Sequence, residues 1–250
     1  MFKAPRLKVK RADALIAEFT AISRDFLSRN PYRLYTYKTD VELILASEVR
    51  ELIPEQLPLI LGDAVHNLRS ALDILINDAI CADTQLIERE SSFPIVRESD
   101  NFNNERKNKL RNASDRIVKF VKSVQPFNEN VSEWLPFLNA TDILDKHRII
   151  TPVIGNPKFK YVSAKQANGP GTMELHGVGI NAEILGSEGI VAIRHELEMV
   201  FDSLPKDYTF FFSFNEEHAK KDITVDDAFS LMRSDVMRII HGMEKMFIKV

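Results

Sequence analysis

His66, Arg69 and Asp73 are three and four residues apart, with Asp63 three residues before them and Asn67 and Ser70 interleaved. On a helix turning about 100° per residue, that spacing puts the imidazole beside the guanidinium and the guanidinium beside a carboxylate. Such a group can move a proton at the imidazole while the guanidinium holds an anion. The same residues would equally suit a solvated face with an i,i+4 ion pair, or a hydrogen-bonded seam between helices.

A second polar group follows at Asn139, Asp142, Asp145, Lys146, His147 and Arg148. Lys146, His147 and Arg148 sit where a helix C-terminus favours cations, which explains the bases but not Asp145. If the two helices lie side by side, Asp145 and His147 face His66 and Arg69 across a cleft. The candidate catalytic residues are therefore His66, Arg69, Asp73, Asp145 and His147. Asp63, Asn67, Lys146 and Arg148 are the candidate ligand-binding residues.

Asp63 and His66 have the acidic-x-x-His spacing that presents two metal ligands from one helix, but no second such pair occurs, so neither a metal nor a cofactor is expected. Phosphate-loop, dinucleotide and serine-hydrolase motifs are absent. Gly169-Pro170-Gly171 reads as a turn, and His176, His195, His218 and His241 read as structural or exposed.

The elements that must position these groups follow from apolar periodicity. Leu15, Ile16, Phe19, Ile22 and Phe26 mark a helix over 8–29, stopped by Asn30-Pro31. Tyr32 to Lys38 and Glu42 to Ser47, broken at Thr39-Asp40, predict a hairpin. The run from Leu57 to Cys81 predicts a helix whose apolar side is Leu61, Ala64, Val65, Leu68, Ala71, Leu72, Leu75 and Ala79. Gly62 costs that helix about 1 kcal/mol relative to alanine, so either a close helix contact offsets it or the helix begins later. Helices over 101–111, 113–124 and 132–147 and an extended stretch over 92–96 come next. Beyond Arg148, β-branched runs at 149–154, 159–163, 173–180, 189–197 and 208–214 predict a mostly antiparallel sheet, and an amphipathic helix over 224–248 closes the chain.

The expected class is α+β: a helical core of about six helices, an N-terminal β-hairpin and an antiparallel sheet in the C-terminal half. One domain spans 1–250, with its helical part over 1–148 and the sheet plus last helix over 149–250. An apolar fraction of 44%, a charged fraction of 28% and 16 phenylalanines are those of a globular protein. With 33 basic against 36 acidic residues, the net charge of -3 gives no global attraction for polyanions. The one cysteine, Cys81, excludes an internal disulfide and reads as a buried, inert thiol. No apolar run approaches the roughly 18 residues of a membrane span, and a cytoplasmic location without a membrane partner is expected.

The run Leu61-Gly-Asp-Ala-Val-His-Asn-Leu-Arg-Ser-Ala-Leu-Asp73, with Phe93-Pro94-Ile95 and Asp145-Lys-His-Arg148, resembles a family of uncharacterised bacterial and phage-borne proteins. In that family the helix commonly reads Arg-Ser-Ala-Leu-Asp-His, which is similar to the arginine-x4-histidine pattern of HEPN-superfamily ribonucleases and nucleotide-binding helical proteins. The resemblance implies a phosphate-binding role for Arg69 and an RNA or nucleotide partner. Ile74 occupies the position of the family's catalytic histidine and cannot perform its role. Two functions stand open: a phosphodiester- or nucleotide-directed protein of HEPN-like type, active or degenerate, and a non-catalytic ligand-binding or protein-interaction module. The apolar C-terminal helix would suit a homodimer.

Overall fold

Six α-helices form among the described residues of the computed structural model, five of them on apolar residues recurring three and four apart and the short Phe102–Lys109 helix on Phe102 alone. The structure describes residues 2–38, 42–85, 88, 90–128, 133–150, 152–154, 158–159, 161–166, 172–176, 190–194, 199–201, 208–209, 212–214 and 223–248. The helices are α1 (Lys3–Ser28), α2 (Gln56–Thr84), α3 (Phe102–Lys109), α4 (Asp115–Ser123), α5 (Trp134–His147) and α6 (Val225–Phe247). Asn30, at φ 55°, takes the left-handed conformation just past α1, which asparagine tolerates better than most residues. His195, His218 and the 169–171 turn lie outside the described residues.

The chain divides into two compact units: residues 1–20, 58–150 and 226–250, and residues 21–57 and 151–225. In the first, α1 and α6 run antiparallel, because Arg6 bonds Glu244, Asp13 bonds Arg233 and Thr20 bonds Asp226. The Arg6 guanidinium holds the Glu244 carboxyl below its ordinary range. α6 lies so close to α4 that a Cβ on Gly242 would be 2.8 Å from the Phe120 ring. Its apolar stripe, Phe229, Met232, Val236, Ile239, Ile240 and Met243, is buried in this unit. That stripe is core. The expected apolar side of α2 is entirely buried.

In the second unit, β1 (Tyr32–Lys38) and β2 (Glu42–Val49) form the expected hairpin, pairing Tyr32 with Val49 through Lys38 with Leu43. Eight further strands follow: β3 (Pro152–Ile154), β4 (Lys158–Phe159), β5 (Tyr161–Gln166), β6 (Thr172–His176), β7 (Ile190–Arg194), β8 (Met199–Phe201), β9 (Tyr208–Thr209) and β10 (Phe212–Phe214). Their pairings are antiparallel but separate, in the orders β1-β2-β7, β10-β3, β4-β9 and β6-β5-β8.

The α+β class is therefore corrected to a mostly helical one. Among the residues whose surroundings are described, 71% are helical. The single C-terminal sheet expected over 149–214 is not formed by these short, separate pairings. Each β-branched run supports local extension, but several strands are only two or three residues long, too short for a ladder that could bury a shared face.

Candidate functional site

α2 and α5 pack antiparallel, and the seam between them is polar at three successive levels. Read along α2, Gly62 meets Asp145, His66 meets Asp142 and Arg69 meets Asn139. One pair per turn is what two antiparallel helices of 3.6 residues per turn produce. It also explains why His147 is elsewhere: it is about 200° around the helix from Asp145. His147 and Arg148 are exposed, with no side-chain bond among the described residues.

At the first level, the Asp145 carboxylate occupies the space a side chain at position 62 would need. A Cβ there would lie 2.7 Å from Asp145 Cγ. The helix does begin before Gly62, and its glycine is the cost of this approach. Burial raises the Asp145 pKa above its ordinary 3.8; the nearby Asp142 and Asp63 carboxylates raise it further, while the Ile150 N–H and His66 partly offset them.

A carboxyl whose folded pKa exceeds its unfolded one imposes no penalty while both states are protonated. As pH rises through the unfolded value, the unfolded chain ionises first, and stability falls until the folded carboxyl has also ionised. Asp145→Asn removes this titration. Its melting temperature should exceed the parent's at neutral pH, with the advantage disappearing below pH 3.8. A pH-independent difference in thermal melts would refute this.

At the second level, His66 Nδ1 is 2.9 Å from Asp142 Oδ1, and Lys146 Nζ is 2.6 Å from Asp142 Oδ2. Asp142 is only 2% exposed, whereas the His66 side chain is 48% exposed. An ionised carboxylate only accepts, so Nδ1 carries the proton in this bond. Nε2 lies 3.2 Å from Ser70 Oγ. Asn67 donates to the Asp63 carbonyl and accepts from Lys8 of α1.

At the third level, Arg69 is 7% exposed, and each of its three nitrogens donates to a protein oxygen. Nε donates to Asn139 Oδ1 at 3.3 Å, one terminal nitrogen to Asp73 Oδ1 at 2.6 Å and the other to the Phe93 carbonyl at 2.8 Å. The Phe93 N–H donates to Asp73 Oδ1 at 2.8 Å, and one turn on, Asn77 donates to the Ser91 carbonyl at 2.8 Å. Arg69, Asp73 and Asn77 thus hold the extended segment near Phe93 much as a neighbouring strand would. From its other side, Gln125 accepts from Val96 N–H and donates to the Pro94 carbonyl.

The structure brings Asp63, His66 and Asp145 together at one end of the seam and, at the other, buries Arg69 against the partly exposed Asp73. Sequence reasoning selected Asp145 and His147 as the groups facing His66 and Arg69. The partners are Asp142 and Asn139, whose three-residue spacing on α5 was the signal for an inward polar face.

The expectation of an α+β, HEPN-like ribonuclease is corrected by the fold. The helical class with no C-terminal sheet departs from the fold expected with it. Arg69 is committed to internal oxygens, Ile74 stands in the histidine position and His147 does not join the seam. Among the described residues, no group of three or more His, Cys, Asp or Glu is placed to hold a metal ion. No helix among them is long and apolar enough to cross a membrane. Cys81 is half-buried, its Sγ accepting from Glu88 N–H at 3.2 Å. No family model, curated protein or solved structure matches the chain.

Proposed function

We propose that the chain is a non-catalytic binding protein of the cytoplasm. Its α2–α5 seam is scaffold, and the rim formed by Asp63, His66, Ser70 and Lys146 receives a polar ligand or protein surface. The observation that carries this reading is the buried Arg69 guanidinium, whose nitrogens are all engaged internally. An arginine that must clamp a substrate anion needs donors directed at that anion. Here they hold the chain's own backbone, leaving only the rim to offer mixed donors and acceptors to a partner.

A second reading rests on one specific feature, the Ser70–His66–Asp142 relay. Asp142 fixes the tautomer that leaves Nε2 as a base toward the Ser70 hydroxyl, the arrangement that activates a nucleophilic serine. Lys146 weakens this feature by engaging the other Asp142 oxygen. A fluorophosphonate probe, which labels activated serines, separates the two readings. The expected result is no labelling beyond that of Ser70→Ala. Labelling of the parent that vanishes in both Ser70→Ala and His66→Ala would replace the binding reading with a hydrolytic one.

A further inference from the structure

In a chain of net charge -3, five of the nine residues from Lys3 to Arg11 are basic and none is acidic. At about 100° per residue, Lys3, Leu7, Lys10, Arg11 and Ala14 share an arc of about 100° on α1, and all five are exposed. Ser234, Arg238, His241, Lys245 and Ile248 share a similarly narrow arc along α6 and its end, and these too are exposed.

The antiparallel contacts of Arg6 with Glu244 and Asp13 with Arg233 place the two arcs on adjacent helices. The edge-to-face packing of Phe2 on Phe247 joins the start of α1 to the end of α6. Between Lys3 and Ala14 and between Ser234 and Ile248 every acid is paired, Glu244 with Arg6, Asp13 with Arg233 and the buried Asp235 with Arg238, while the exposed Glu18 and Asp227 continue the two arcs beyond these spans. Lys3, Lys10, Arg11, His241 and Lys245 form no ion pair among the described residues, and an open groove of about 670 Å³ runs along the α6 face between Ser230 and Lys245. Two aliphatic side chains stand among these bases, Leu7 at 54% and Ile248 at 66% exposure.

We propose that this two-helix face, with the cations Lys3, Lys10, Arg11 and Lys245 beside His241 and around exposed Leu7 and Ile248, docks peripherally on an anionic lipid surface. Cations draw the face to anionic headgroups, while protruding aliphatic side chains gain by entering the acyl boundary. A nucleic acid would use the same cations but would give Leu7 and Ile248 no apolar phase to enter. A second copy presenting this face would meet like charge. Adhesion of this kind needs no membrane-spanning helix.

The test is co-sedimentation of the full chain with phosphatidylcholine vesicles and with equal-part phosphatidylcholine–phosphatidylglycerol vesicles. The protein should pellet only with the anionic vesicles and be released by high salt. Lys10→Glu/Arg11→Glu should weaken partitioning at least about tenfold. Leu7→Ser/Ile248→Ser should weaken it severalfold, with helical circular dichroism unchanged in both variants. Failure of the parent to bind anionic vesicles overturns the proposal, as does binding indifferent to the charge reversal. Binding that ignores the Leu7 and Ile248 changes while a single-stranded RNA oligomer competes for the same face would assign the surface to a different polyanion and also overturn it.

Discussion

Arg69→Ala should destabilise the helical unit by about 3–5 kcal/mol, the range for removing one partner of a buried, hydrogen-bonded charge pair. The lower end is appropriate, because the Asp73 side chain is 36% exposed and water can reach it. The alanine variant leaves three acceptors behind: the Asn139 amide oxygen, Asp73 Oδ1 and the Phe93 carbonyl. With melting shifts of roughly 2–4 °C per kcal/mol in a protein of this size, the helical transition should fall by about 10 °C. Arg69→Lys should recover little, since an ammonium on a flexible stem cannot serve three oxygens set around a planar fork. Thermal melts followed by helical circular dichroism read this directly. A melting temperature within 1–2 °C of the parent, on the order of half a kcal/mol or less, would show that Arg69 is not structural and return it to the pool of ligand-binding candidates.

The sequence-legible features were those fixed by local periodicity. The helices emerge close to their expected spans because their apolar residues return every three or four positions and helices report this over many turns. The hairpin at Tyr32–Val49 is similarly local, two runs separated by a short break. The sheet expectation over 149–214 failed because β-branched composition supports extended backbone without specifying which segments pair. Hydrogen-bonding partners are set by contacts far apart in the chain, and short runs carry little information about them.

The candidate site shows the same division. Its α2 half was readable: Arg69 and Asp73 pair across one turn as i,i+4 spacing dictates. The α5 half was placed only in part: Asp145 lies in the seam against Gly62, but Asp142 and Asn139 are the groups that bond His66 and Arg69, and His147 points away. Helix orientation and register decide that match, and neither can be read from one helix alone. The role of the Phe93-Pro94-Ile95 stretch was also hidden. Arg69 and Asp73 bind its backbone rather than a distinctive side chain, so residue types gave no warning of the contact.

Gly62 is the position where packing and helix propensity oppose each other most directly. In an exposed helix interior, glycine to alanine would gain about 1 kcal/mol. Here the added methyl would lie 2.7 Å from Asp145 Cγ, so the carboxylate must swing away and surrender its bond from the Ile150 N–H, or the helices must part. Overpacking of this kind costs about 1–3 kcal/mol, and Gly62→Ala should therefore be net destabilising despite the better helix former. Asp145→Ala vacates the space. The double variant Gly62→Ala/Asp145→Ala should be more stable than the sum of the single changes predicts, since in that background the methyl fills a gap and the helix gain is recovered. A double-mutant cycle from urea unfolding isolates this coupling. If Gly62→Ala alone matches or exceeds the parent's stability, the close approach of α5 to α2 at Asp145 is refuted, and with it the register that brings Asp142 under His66.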